Sequence, residues 1–172
     1  MDTEIEEEAS LTLPIFYSNP YCNSGNDVKV KDNKTVILTD SIYKKIEIGK
    51  ISKVTFASDV LYIKELKTKY TDTIEFSSNC VAMYVCKKVD LKKDNIFNSN
   101  GKKVVMYVEE DLDVDKGSNF TGSVYSEKKI DSKGYKNART IMKGMFIAEH
   151  IHSKYTDWNW DTNCGSCASF NT

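Results

Sequence analysis

The sequence predicts an all-β protein, a single-stranded right-handed parallel β-helix of about six coils closed by terminal caps. Three observations predict it. MYVCKKVDL (83–91) is written again, almost unchanged, as MYVEEDLDV (106–114). Related units continue on both sides at a spacing near 20 residues. Helix signals are scarce, with two prolines only and abundant Asn, Lys, Tyr and Ser, a composition suited to many short strands joined by polar turns. A fixed period of this length marks stacked supersecondary units, none of which can bury its apolar face until the next lies on it.

In chain order the units are SIYKKIEI (41–48), LYIKELKT (61–68), MYVCKKVDL, MYVEEDLDV, VYSEKKIDS (124–132) and FIAEHIHS (146–153). Tyr43, Tyr62, Tyr84, Tyr107 and Tyr125 align at spacings of 19, 22, 23 and 18 residues, and Ile147 takes the slot 22 further on. Between the units recur Val54-Thr55-Phe56, Ile74-Glu75-Phe76 and Ile96-Phe97, so each coil holds about three short strands. Period-two alternation turns Met83 and Val85 inward with Tyr84 outward, and Val89 and Leu91 inward with Asp90 outward. Ile46, Leu66, Val89, Leu112 and Ile130 then form one inward column. Right-handedness follows from the general preference of parallel crossovers. The expected organisation is an acidic tail and amino-terminal cap (1–27), the β-helix (28–153) and a carboxy-terminal cap (154–172) containing Trp158, Trp160 and Phe170. Leu13, Ile15, Phe16 and Val28 belong to the first coil and its lid.

A chain of 172 residues suffices for one domain with a core. Lys plus Arg (24) balances Asp plus Glu (25), which argues against nucleic acid or an anionic membrane as partner. No apolar run reaches the roughly 18 residues of a membrane span. MDTEIEEEAS lacks the basic and apolar regions of a secretory signal, and its like charges favour a solvated run.

The outward tyrosines Tyr43, Tyr62, Tyr84, Tyr107 and Tyr125 are the expected binding stripe, since aromatic rings offer apolar faces and polar edges to a protein or glycan. Stacking that merely stabilises the sheet, or cover by the amino-terminal segment, explains the same recurrence. A second outward column holds Glu47, Asp90, Asp113 and Asp131. Asp111, Asp113 and Asp115 are candidate calcium ligands, set against a solvated acidic face with nearby lysines. An EF-hand is excluded, because Lys116 and Gly122 stand where its loop requires Gly and Glu. Cys22, Cys80, Cys86, Cys164 and Cys167 are disulfide candidates whose pairing spacing does not decide. His150 and His152 with Cys164 and Cys167 have the composition of a zinc site. No G-x-S-x-G elbow, P-loop or deaminase signature occurs, so neither catalytic residues nor a cofactor are expected.

FTGSVYSEKKI, MKGMFIAEHI and WNWD resemble the closing coils of bacterial surface and pilus-associated parallel β-helix proteins. SIYKKIEIG, DVLYIKEL and MYVEEDLDV resemble their middle coils. The resemblance spans roughly residues 28–153 and implies a non-enzymatic extracellular module, an adhesin or pilus component, although a pilin-type amino-terminal helix is missing. Two alternatives stand beside it. Bactofilin-like cytoplasmic filament proteins are also small β-helices but have no need of five cysteines, and paired acids on a β-helix suit a calcium-dependent polysaccharide-acting enzyme.

Overall fold

The computed structural model describes residues 18–161, all of them strand, turn or irregular chain with no helix. Parallel strands stack as a β-solenoid of about six turns. Its rungs are β1 (Asn26–Val30) with β2 (Thr35–Leu38), β3 (Ile42–Ile48) with β4 (Lys53–Phe56), β5 (Val60–Lys67) with β6 (Thr73–Phe76), and β7 (Cys80–Leu91) with β8 (Ile96–Phe97). The fifth rung is divided into β9 (Lys103–Val108), β10 (Asp111–Val114) and β11 (Asn119–Thr121). β12 (Ser123–Lys133) with β13 (Thr140–Gly144) and β14 (Phe146–Lys154) with β15 (Thr156–Trp160) complete it. One sheet runs β1-β3-β5-β7-β10-β12-β14, with β9 between β7 and β12, and the other runs β2-β4-β6-β8-β11-β13-β15. Trp158 and Trp160, expected in a cap, belong to β15. Leu13, Ile15, Phe16 and Phe170 lie outside the described residues.

The longer sheet is bent. Register shifts interrupt it between Ile63 and Glu65 and between Ser126 and Lys129, and in the fifth rung Glu109 and Glu110 separate β9 from β10. The expected three strands per coil are therefore two halves of a bent strand plus one strand of the second sheet.

Strict register builds the core. Val28, Ile46, Leu66, Val89, Leu112, Ile130 and Ile151 lie one above another on the first sheet. The five central members have no solvent exposure. Opposite them run Val36, Val54, Ile74, Phe97, Phe120, Met142 and Trp158 on the second sheet. Within this wall Phe56 and Phe76 stack at 5.7 Å, and Phe97 and Phe120 stack at 4.5 Å. Ile96 faces outward, so Phe97 rather than Ile96 continues the column of Ile74.

The corner leading into the second sheet repeats a conformation that hydrophobic periodicity does not reveal. Asn33, Ile51, Thr71, Asp94, Gly117 and Tyr155 all have φ between 49° and 70°. Ser52, Asp72, Asn95 and Ser118 follow four of them, all buried. Each satisfies the backbone of the rung before it: Ser52 N–H donates to Asp72 Oδ1 (3.0 Å), Asp72 N–H to Asn95 Oδ1 (2.7 Å) and Asn95 N–H to Ser118 Oγ (3.0 Å). Asn95 Nδ2 also donates to Thr68 Oγ1 and to the carbonyls of Lys69 and Lys92. A polar ladder thus pairs buried backbone groups that the turn removes from the sheets.

Two outcomes test this account. Leu112→Asp places a charge in the fully buried column and should abolish the cooperative thermal transition and the strand signal in circular dichroism; a soluble, equally stable variant would refute the column's role. Burial pushes the Asp72 carboxyl up from 3.8 to about 6, against N–H donation from Ser52 and Lys69. The folded chain therefore holds this proton more tightly than the unfolded chain, and stability falls as pH rises from about 4 to 6. Asp72→Asn should remove this dependence, so that the stability difference between variant and parent moves in the variant's favour by on the order of 2–3 kcal/mol between about pH 4 and 6, read by urea denaturation at several pH values.

Candidate functional site

Three outer faces are available for recognition. The first half of the bent sheet carries the aromatic one. Tyr62, Tyr84, Tyr107 and Tyr125 lie in direct register with Ile147 next in line. Their ring centroids are 5.1, 5.3 and 5.4 Å apart with planes within 16° of parallel. Alternation turns them outward, and all four are half-buried. Tyr43 is a correction to the expected stripe. Ile42, not Tyr43, pairs with Tyr62, and this one-residue slip turns Tyr43 into the core, 2% exposed and edge-on to Phe56. Burial is the main cause that pushes its hydroxyl up to about 12, with the nearby Asp40 carboxylate adding to it. The end of the ladder is taken instead by Tyr21, whose ring meets Tyr62 at 4.8 Å and 70°.

Tyr21 belongs to a strap that lies along this face before the chain enters β1. Asn19 Nδ2 donates to the carbonyls of Ile63 (3.2 Å) and Tyr84 (3.1 Å), close to the bend, and Asn19 N–H donates to Glu109 Oε1 (2.8 Å). Tyr21 N–H closes a turn on Asn19 Oδ1 (2.8 Å), and Lys64 Nζ donates to Asn23 Oδ1 (2.8 Å). A disulfide joins Cys22 to Cys86. Gly25, with φ of 85°, turns the strap into β1 where a side-chain carbon would sit 2.5 Å from the Ile42 carbonyl oxygen. The outward residues Ala82, Cys86, Val105 and Ser123 beside the tyrosines are buried as well. This half of the face is a packed layer from which the tyrosines emerge in part.

The other half of the same sheet is a lattice of charge. Asp27, Lys45, Glu65, Lys88, Asp111, Lys129 and His150 form one column that alternates in sign through its first six members. The next holds Lys29, Glu47, Lys67, Asp90, Asp113, Asp131 and His152. Glu47, Asp90, Asp113 and Asp131 share a column as expected, with Lys67 between the first two. Asp111 stands one column away, so Asp111 and Asp113 do not converge. Lysines hold the acids: Lys88 to Asp113 at 2.5 Å, Lys92 to Asp90 at 2.9 Å and Lys133 to Asp131 at 2.8 Å. Burial favours a raised carboxyl at Asp131, but hydrogen bonds from Lys133 and His152, with the charges of Lys133 and Lys129, win and hold it below the usual range. The groove between Asp90, Asp113, Asp131, Lys92, Asp115 and Lys133 encloses only about 100 Å³.

His150 and His152 are exposed on β14. Cys164 and Cys167, the other half of the candidate zinc set, lie outside the described residues. Among the described residues, no three His, Cys, Asp or Glu side chains are grouped to hold a metal ion. Cys80 shares the outer face of β7 with Cys86 and is not a free thiol. The third face, outside the second sheet, presents Thr35, Lys53, Thr73, Ile96, Asn119, Ile141 and Asp157 in one mixed column.

Cover of the tyrosines by the amino-terminal segment is one of the alternatives the sequence offers, but its anchoring at Asn19 and the choice of Cys22 with Cys86 are not decided by spacing, although Cys80, Ala82, Tyr84 and Cys86 share a face by simple alternation. Compared with known proteins, the chain matches no family model, no curated protein and no solved structure. No helix among the described residues is long and apolar enough to cross a membrane.

The Cys22–Cys86 bond spans a sequence separation of 64 residues, for which loop closure in the unfolded chain corresponds to about 4 kcal/mol. Replacing both cysteines by serine should lower the unfolding free energy by about 2–4 kcal/mol in denaturant titration. An unchanged midpoint would show that the strap is held without it.

Proposed function

We propose that this chain is a non-enzymatic recognition module of an extracellular or cell-surface setting, binding a protein or glycan along the tyrosine-bearing flank of the solenoid. The observation that carries this reading is the unbroken outward ladder of Tyr62, Tyr84, Tyr107 and Tyr125. Its regular rings are positioned by the sheet beneath, so a ligand meets them with little side-chain ordering left to do. Half-exposed rings with polar edges suit the apolar face of a sugar or an apolar side chain of a partner. The Cys22–Cys86 disulfide supports an oxidising environment. The lysines on Asp90, Asp113 and Asp131 support a structural role for that column over polysaccharide cleavage. An adhesin-type or pilus-associated role is the form of this reading that agrees with the sequence resemblance.

A screen of glycans and surface proteins against the intact chain tests it. Replacing Tyr84 and Tyr107 together by alanine should weaken a captured ligand by at least about 2 kcal/mol, roughly 30-fold, while strand content and the disulfide persist. Unaltered affinity would move the site elsewhere. Loss of folding in the pair would make the ladder structural, and turnover of a polysaccharide abolished by Asp113→Asn would replace the reading with an enzymatic one.

A further inference from the structure

We propose that the two ends of the solenoid are complementary and that this chain binds a second copy of itself end to end, the last rung of one molecule on the first rung of the next. Among the described residues, an edge strand of either sheet is paired on one side only at each end: β1 and β2 at the start, β14 and β15 at the finish. Such edges carry unpaired N–H and C=O groups that template further pairing.

Among the described residues the apolar columns also stop open at both ends. At the finish, Ile151 continues the fully buried column of Leu112 and Ile130 yet is 48% exposed, and Trp160 is 69% exposed. Phe146, Ile151, Trp158 and Trp160 border a hollow of about 190 Å³. At the start, Val28, Val36 and Leu38 occupy the matching columns and are only partly buried. The strap does not lead across the first rung, because Asn19 and Cys22 hold it to the flank at Ile63, Tyr84, Cys86 and Glu109.

Register and charge agree with this pairing. Continuing the columns by one rung sets Val28 of the second copy on Ile151, Val36 on Trp158 and Asp27 on His150, and brings Lys29 to His152, whose ring nitrogen can accept from an ammonium. Residues 26–38 carry three lysines and two aspartates, while residues 146–161 carry three acids and one lysine, with Asp157 and Asp161 already paired to Arg139 and Lys143 of the preceding rung. The contact is heterologous and does not close on itself, and it therefore propagates into rods rather than stopping at a dimer.

Light scattering after size exclusion, with negative-stain microscopy across a concentration series, tests this on the full chain. The parent should pass from monomer to integral multiples and to rods of constant width. Ile151→Lys at the last rung and Val36→Lys at the first should each leave only monomer, with strand content retained. An equimolar mixture should form a 1:1 dimer and nothing longer, because each variant keeps one competent end. Trp160→Glu, at an exposed position, provides a second block of the last rung should Ile151→Lys impair folding. A parent of single mass up to its solubility limit, assembly undiminished in all variants, or folded variants that fail to complement would each overturn the proposal.

Discussion

Everything in this molecule depends on one constraint, that residue n of a rung must lie on its counterpart in the next. Parallel pairing at a rise of about 4.8 Å converts each position into a column, so a single apolar choice repeated seven times becomes a wall of the core. Leu66, Val89 and Leu112 touch neighbours above and below as well as across, and none belongs to a local hydrophobic cluster along the chain. The same rule acts on the outside. Tyrosines become a stack, acids and lysines become a lattice, and the turn residues become an internal hydrogen-bonded rail. Charges placed in register must alternate or be shielded laterally, which is what Asp27 to Lys129 do in one column and the flanking lysines do for Asp90, Asp113 and Asp131 in the other.

How far this was legible follows from what repeats. The inward set from Ile46 to Ile130 recurs with a period of two inside a period near twenty, and both the fold and that column could be read directly. Tyr43 could not be placed by the same means. Its motif matches its neighbours in type, but Tyr43 stands three residues before Ile46 where Tyr62 stands four before Leu66, and because β3 pairs with β5 at one constant offset, Ile42 takes the outward slot. The polar rail escaped for a different reason: Ser52, Asp72, Asn95 and Ser118 share no side-chain chemistry, only the ability to accept a hydrogen bond after a left-handed residue. Asn19 escaped because it makes its contacts 44 and 65 residues away and repeats nowhere.

The three outer faces differ in what they offer a partner. The charge lattice satisfies itself, and its ion pairs are surface pairs that contribute little individually and weaken with salt. The face outside the second sheet mixes threonine, isoleucine and charge without a theme. The aromatic flank alone combines regular spacing, partial exposure and rigid support, and Tyr21 of the strap lies against its Tyr62 end. In the proposed reading, binding there rests on few groups held firmly rather than on a wide adaptable surface.

The Cys22–Cys86 bond also alters how the rod responds to pulling. Residues 23–85, which include β1 through β6 and the first part of β7, lie within the covalent loop that it closes. Tension applied to the chain upstream of Cys22 passes through the sulfur bridge to Cys86 and enters the solenoid in the middle of β7, a strand paired along both edges. The first three rungs are thereby removed from the load path, and a tether on that side cannot peel the edge strand β1 away before the interior of the sheet yields.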